Sequence, residues 1–146
     1  MDLWVIKSGS RDMHLTRSRD GVAFSKPEKL STGTWQLNAC PMDGGGIVVA
    51  DYRIVTVWRR EHSIYLASPG AQEVASGMER MSRSRRHPGG VFAIWSTAGV
   101  RVLAPGKKQS VAIAPTGALP AIVALSGGGA LAAWEDAGKI QIRALP

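Results

Sequence analysis

Short runs of alternating apolar and polar residues recur along the chain, and glycine, proline, serine and aspartate separate them. This pattern is typical of β-strands joined by tight turns. Apolar residues at helical spacing are almost absent. The hydrophobic pattern therefore predicts an all-β fold.

Three tryptophans mark a repeated unit. Trp58, Trp95 and Trp134 each come near the end of an apolar run, and they are 37 and 39 residues apart. Each is followed by a polar turn and an alternating strand: SIYLAS, VRVLAP or KIQIRAL. Each is preceded by a further strand: GIVVA, ERMSRSR or AIVAL. The two complete copies end in one more strand, AQEVAS or QSVAIA. The predicted unit therefore has four antiparallel strands, labelled a to d, and the tryptophan lies on strand b.

A four-stranded unit of this length cannot bury both of its faces alone, so the repeat predicts a β-propeller of stacked, four-stranded antiparallel blades. Trp4 opens an earlier copy, and residues 31–46 form an inserted loop after it. The predicted blades make about three and a half units. They cover residues 1–31, 46–77, 78–115 and 118–146. A β-sandwich or barrel has a similar strand count, but it gives no reason for regularly spaced tryptophans.

Charge and cysteine content narrow the classes of function. The net charge is +7, and ERMSRSRRHPGG concentrates part of it, which suggests nucleic-acid binding. No aromatic residue is interleaved there, so a solvated basic strand and loop is favoured. Cys40 is the only cysteine, and the three histidines lack metal-ligand spacing, so neither a metal site nor a cofactor is predicted.

Residues 109–134 carry no charge and are numerous enough to span a bilayer. Pro115, Pro120 and several glycines interrupt them, so buried strands are predicted and no membrane partner. The opening MDLWVIKSGSRD does not have the features of a signal peptide. Localisation stays open: cytoplasmic for the chain as it stands, exported if an upstream segment is missing.

The stretch SRDGVAF lies on the predicted turn between strands c and d of the first blade. Serine and aspartate side chains accept backbone N–H bonds in such turns, and glycine tolerates a positive φ. We expect Phe24 to return and pack between sheets. Together, Ser18, Asp20, Gly21 and Phe24 resemble the Asp-box, or BNR repeat, of the sialidase superfamily. The usual form of this motif is Ser-x-Asp-x-Gly-x-Thr-Trp/Phe. FSKPEKLS and TWQLNACPMDGGG are also similar to bacterial sialidase-like propellers.

The resemblance implies a closed, six-bladed ring of which this chain would be an open arc or a fragment. Missing upstream blades or a second copy, as a homodimer, would close the ring. An arc would also leave two apolar blade faces uncovered. The resemblance further implies that the Asp-box is a structural tip, away from the face that binds ligands.

Sialidase-like propellers bind ligands on the face that carries the b–c and d–a connections. Arg11 and Asp12 are predicted on one b–c turn of this face. An arginine could bind a carboxylate there, and the possible ligand is a carbohydrate. The structural alternative is a set of solvated turns. The candidate residues are Trp35, Asn38 and Asp43 from the insert, and Arg59, Arg60 and Glu61 from a second b–c turn.

A sialidase also needs a tyrosine nucleophile activated by a glutamate, and an aspartate as acid/base. Tyr52 falls on the opposite face and Tyr65 inside a strand, so the catalytic residues are unknown. Three functions remain open. The leading one is a sialidase-like propeller segment, a scaffold or a glycan- or protein-binding module. The others are part of an exo-sialidase-type hydrolase with catalytic residues on missing blades, and a basic nucleic-acid-associated protein.

Overall fold

The computed structural model describes residues 2–7, 9–38, 45–50, 53–78, 80–87 and 90–146. These ranges contain only strands, turns and irregular segments, which confirms the all-β prediction. They include no helix that could cross a membrane.

The strands form four antiparallel sheets, and each strand pairs with its neighbour in sequence. The first sheet contains β1 (Asp2–Lys7), β2 (Ser10–Leu15) and β3 (Glu28–Lys29). The second contains β4 (Gly46–Ala50), β5 (Arg53–Arg60), β6 (Ser63–Ala67) and β7 (Val74–Met78). The third contains β8 (Arg80–His87), β9 (Gly90–Ser96), β10 (Val100–Leu103) and β11 (Val111–Ala114). The fourth contains β12 (Ala118–Ala124), β13 (Ala130–Asp136) and β14 (Lys139–Leu145).

The strand order follows the predicted order a to d within the second and third sheets. Strands β4 and β14 coincide with the predicted GIVVA and KIQIRAL. The charge-free segment at residues 109–134 forms β11, β12 and most of β13, so the predicted strands are confirmed, because its prolines and glycines separate runs of strand length. The predicted burial is only partial, since β11 and β12 both expose apolar residues.

Each of the three repeated tryptophans is buried against the sheet that precedes its own. The clusters join Trp58 to Met13, Leu15 and Leu30; Trp95 to Val57 and Ile64; and Trp134 to Phe92, Ile94 and Val100. The prediction that these indoles form the core between neighbouring sheets is confirmed.

The last three sheets meet along their first strands. Strand β8 lies beside β4 and β5 of the second sheet and beside β12 of the fourth. The four sheets do not close on themselves within the described ranges.

In the backbone register of the first sheet, Trp4 of β1 lies opposite Met13 of β2. Met13 belongs to the cluster that buries Trp58 of the second sheet.

The first part of the predicted insert belongs to the first sheet. Its backbone continues alongside β2: Leu30 N donates to Met13 O at 3.0 Å, and Arg11 N donates to Trp35 O at 2.7 Å. Between these two hydrogen bonds, residues 31–34 bulge away from β2. This bulge reaches the second sheet.

Replacing Trp95 with alanine should lower the free energy of unfolding by about 3–5 kcal/mol, because it removes a fully buried indole from the core between the second and third sheets. Val22→Ala is the matched control, since Val22 is exposed in a loop and its loss should change stability by less than about 0.5 kcal/mol. Urea unfolding followed by circular dichroism measures both. Equal effects would contradict this packing.

Candidate functional site

The loop between β2 and β3 is organised around the carboxylate of Asp20. Asp20 Oδ1 accepts hydrogen bonds from Val22 N at 2.8 Å, Ala23 N at 2.9 Å and Ser18 Oγ at 2.9 Å. Ser18 Oγ accepts a hydrogen bond from Gly21 N at 2.8 Å. Gly21 has a φ of 77°, in the left-handed region that glycine adopts without steric cost. The predicted turn chemistry of Ser18, Asp20 and Gly21 is present.

The base of this loop is closed by hydroxyl and backbone hydrogen bonds. Thr16 Oγ1 donates to Ser25 O at 2.7 Å, and Ser25 N donates to Arg17 O at 2.8 Å. Phe24 lies outside this closure and is half exposed. The prediction that Phe24 packs between sheets is therefore wrong, because the Thr16–Ser25 contacts return the chain to β3 without burying the ring.

Hydrogen bonding lowers the pKa of Asp20 to about 2, chiefly through the N–H groups of Val22 and Ala23 and then through Ser18. The folded pKa lies below the ordinary value of 3.8. The charged carboxylate therefore stabilises the folded chain above about pH 4, and this contribution is lost as the pH falls toward 2.

A second polar cluster lies on the face of the second sheet that meets the first. Arg60 Nη2 donates to Glu73 Oε1 at 2.8 Å, and Arg60 Nη1 donates to Glu73 Oε2 at 3.0 Å. The guanidinium lies 4.0 Å from the centre of the Tyr65 ring. The side chains of Arg60 and Glu73 are 14% and 8% exposed. Burial disfavours the charged guanidinium, but Glu73 and Tyr65 outweigh it and raise the pKa of Arg60.

The bulge of the first sheet covers this ion pair. Thr32 Oγ1 donates to Glu73 Oε1 at 3.2 Å. Gly33 lies so close that a Cβ there would be 2.8 Å from Arg60 Cζ. Glycine thus allows the backbone to approach the guanidinium, which lies between Gly33 and the ring of Tyr65. Arg60 therefore has a structural role here. The sequence instead predicted a solvated turn residue or part of an open ligand clamp.

A third cluster surrounds Asp12. Lys29 Nζ lies 2.9 Å from Asp12 Oδ2, and Trp35 N donates to Asp12 Oδ1 at 3.3 Å. Lys29 Nζ also donates to Thr34 Oγ1 at 2.8 Å. Asp12 is a buried residue of β2, so its predicted position on an exposed b–c turn is wrong. The turn comes earlier, at Gly9, whose φ is 80°.

Three of the remaining candidates meet at the b–c end of the second sheet. The Arg59 guanidinium lies 5.0 Å from the centre of the buried Trp35 ring, and Arg59 Nη1 donates to Glu61 O at 2.9 Å. Glu61 is an exposed turn residue with a φ of 55°. Asn38 is exposed near Trp35 in sequence, and Asp43 lies outside the described residues. The fold therefore brings Trp35, Arg59 and Glu61 together.

Sequence reasoning missed Glu73, the partner of Arg60, and Lys29, the partner of Asp12. Lys29 lies on β3 and Glu73 lies just before β7, and both segments also carry exposed residues. The only signal for Glu73 is a carboxylate within the short AQEVAS strand, and the sequence does not indicate that its partner is Arg60. Within the described ranges, no group of histidine, cysteine, aspartate and glutamate is arranged to hold a metal.

No protein-family model, curated protein or solved structure matches this chain. Function is therefore inferred from the geometry of the Asp20 loop, the Arg60–Glu73 and Lys29–Asp12 ion pairs and the Trp35–Arg59 contact.

Replacing Ser18 with alanine should raise the pKa of Asp20 part of the way toward 3.8, because one donor is lost and the two backbone donors remain. A carbon-13 NMR titration of the Asp20 carboxyl group measures this shift. Ser126→Ala, in an exposed turn elsewhere, should leave the titration unchanged. An Asp20 pKa near 3.8 in the parent chain would contradict the loop geometry.

Replacing Glu73 with glutamine should lower the free energy of unfolding by about 2–4 kcal/mol, because it leaves the nearly buried Arg60 guanidinium without its anion. Glu28→Gln is the matched control: the Arg17–Glu28 pair is 3.4 Å long and about half exposed, so its loss should cost less than about 1 kcal/mol. Urea unfolding at pH 7 compares the two. A small effect for both would count against a buried Arg60–Glu73 pair.

Proposed function

We propose that the chain is a segment of a sialidase-like, Asp-box β-propeller that serves as a scaffold or as a module binding a glycan or protein ligand. The observation that carries this proposal is the constant direction of packing. Trp58, Trp95 and Trp134 each lie on the second strand of a sheet, and each packs against the sheet before it. Sheets arranged as blades about one axis would pack in this way.

The neighbouring first strands give further support. In a propeller, the first strand of each blade lies closest to the axis, beside the first strands of the adjacent blades. Strand β8 lies beside both β4 and β12, as this arrangement requires. An experimental structure in which the four sheets formed two face-to-face layers would overturn the propeller proposal.

The Asp20 loop supports the family resemblance. It connects β2 to β3, which the proposed blade makes strands c and d, and the Asp-box lies on the c–d connection in sialidase-like blades. Its serine, aspartate and glycine each have the local role that the motif needs. This loop supports a structural role for the motif.

The proposed ligand surface is the b–c end around Arg59, Asn38 and Trp35. The partly exposed guanidinium of Arg59 and the exposed amide of Asn38 suit a ligand with a carboxylate and hydroxyl groups, such as an acidic sugar. The Trp35 ring beneath the guanidinium fixes the position of Arg59.

A role as part of an exo-sialidase-type hydrolase has less support. Arg60 is already paired with Glu73, and the ring of Tyr65 lies under the guanidinium. Neither residue is placed to hold or attack a substrate in this arrangement. The catalytic residues of such an enzyme would have to come from elsewhere.

Titration of the nitrogen-15-labelled chain with sialyllactose tests glycan binding, with lactose as the neutral control. We expect shifts of the Arg59 and Asn38 amides with sialyllactose only, and about tenfold weaker binding in Arg59→Ala, which corresponds to about 1.4 kcal/mol. Arg53→Ala, at the other end of β5, is the matched control and should bind as the parent does. No shift with up to about 10 mM sialyllactose would remove the glycan-binding role.

The same preparation incubated with a fluorogenic sialoside separates binding from hydrolysis. A scaffold or binding module leaves the sialoside intact. Turnover that Arg59→Ala abolishes and Arg53→Ala preserves would instead establish the hydrolase and overturn the non-catalytic proposal.

A further inference from the structure

The second, third and fourth sheets place apolar residues at matching positions on their third strands. Each third strand carries two such residues. They pair with the residues immediately before and after the marker tryptophan on the second strand. The cross-strand pairs are Ile64 with Arg59 and Leu66 with Val57; Val100 with Ser96 and Val102 with Ile94; and Ile140 with Glu135 and Ile142 with Ala133.

The burial of these matching positions differs sharply. Ile64 and Val100 are 0% exposed, because the tryptophan-bearing face of the next sheet covers them. Ile140 and Ile142 are 69% and 64% exposed. Within the described ranges, no sheet covers this side of the fourth sheet. The fourth sheet thus presents to solvent the type of surface that its two neighbours bury.

The rest of this surface is also apolar. The outer face, as we define it, consists of Val123, Leu131, Ala133, Ile140 and Ile142, which lie side by side through the cross-strand pairs Val123–Leu131 and Ala133–Ile142. The opposite face of the sheet carries Trp134 and packs on the third sheet.

The charges on β14 are directed away from the outer face. Lys139 and Arg143 alternate with Ile140 and Ile142, and Arg143 Nη1 donates to Ile113 O of the third sheet at 2.8 Å. Glu135, opposite Ile140, marks one end of the outer face. A chain of net charge +7 therefore has here a surface on which two copies can meet without opposing cations.

We propose that the outer face is a homodimer interface, in which the fourth sheets of two copies pack face to face about a twofold axis that runs across the strands. This geometry places the two Glu135 residues at opposite ends of the contact. Small Ala133 lies between larger Leu131 and Ile142, so the two surfaces can interdigitate. The proposal does not rest on the glycan ligand, and it requires that no further blade covers the outer face.

The contact is small. Three strands about 4.8 Å apart and seven residues long, at about 3.3 Å per residue, give a footprint of roughly 14 by 23 Å. This is smaller than a standard interface, so we expect a Kd between about 10 µM and 1 mM.

Sedimentation equilibrium between about 10 µM and 1 mM tests the proposal. The mass of the parent chain should rise from 15.5 kDa toward twice that value. Ile142→Lys should remain monomeric, with a Kd raised at least about tenfold, because it places a cation in the contact. Val74→Lys is the matched control, since Val74 is equally exposed on a strand of the second sheet and should dimerise as the parent does. Circular dichroism checks that both variants fold.

A parent chain that stays monomeric at 1 mM, or two variants that behave alike, would overturn the proposal. Methyl NMR then locates the contact: the Ile140 and Ile142 methyl signals should shift on dilution, and those of Val74 should not. Dimerisation with unchanged Ile140 and Ile142 methyl signals would also overturn it, because the copies would then meet elsewhere, for example along the edge of β14.

Discussion

The structure depends on the burial of an indole between neighbouring sheets. A sheet of three or four short strands has two faces and too few residues to bury either by itself, so each must be covered by the next sheet. Trp95 and Trp134 are buried between sheets, and their ring nitrogens donate no hydrogen bond to any described group. Their contribution to stability therefore comes from the apolar area that they bury, which must exceed the cost of leaving a buried donor unpaired.

The junction between the first and second sheets adds buried charges to this core. Arg60 and Glu73 come from one sheet, and the bulge that covers them comes from the other. A buried ion pair adds little net stability, but leaving either partner alone is costly, so the pair favours the one alignment in which both are satisfied. Arg60, which the sequence suggested as part of a ligand clamp, therefore helps to hold the first and second sheets in one alignment.

The features that sequence predicted well are those set by local chemistry. Alternation and turn residues are enough to place β4 and β14, and the Asp20 turn closes within six residues. Apart from the misplaced turn before Asp12, the failures involve contacts between segments. The exposure of Phe24 depends on where the loop returns to the sheet, and the partner of Arg60 lies just before β7, a strand that does not pair with β5. No spacing rule in a single sequence carries that information.

The same apolar position can be core or surface, depending on whether another sheet follows in space. Ile64, Val100 and Ile140 have matching register and similar chemistry, yet only Ile140 is exposed. Repeat proteins usually end in units whose outer face is polar, because an uncovered internal-type face promotes association. The fourth sheet has the composition of an internal unit, and the apolar area that its neighbours bury stays exposed to solvent on its outer face.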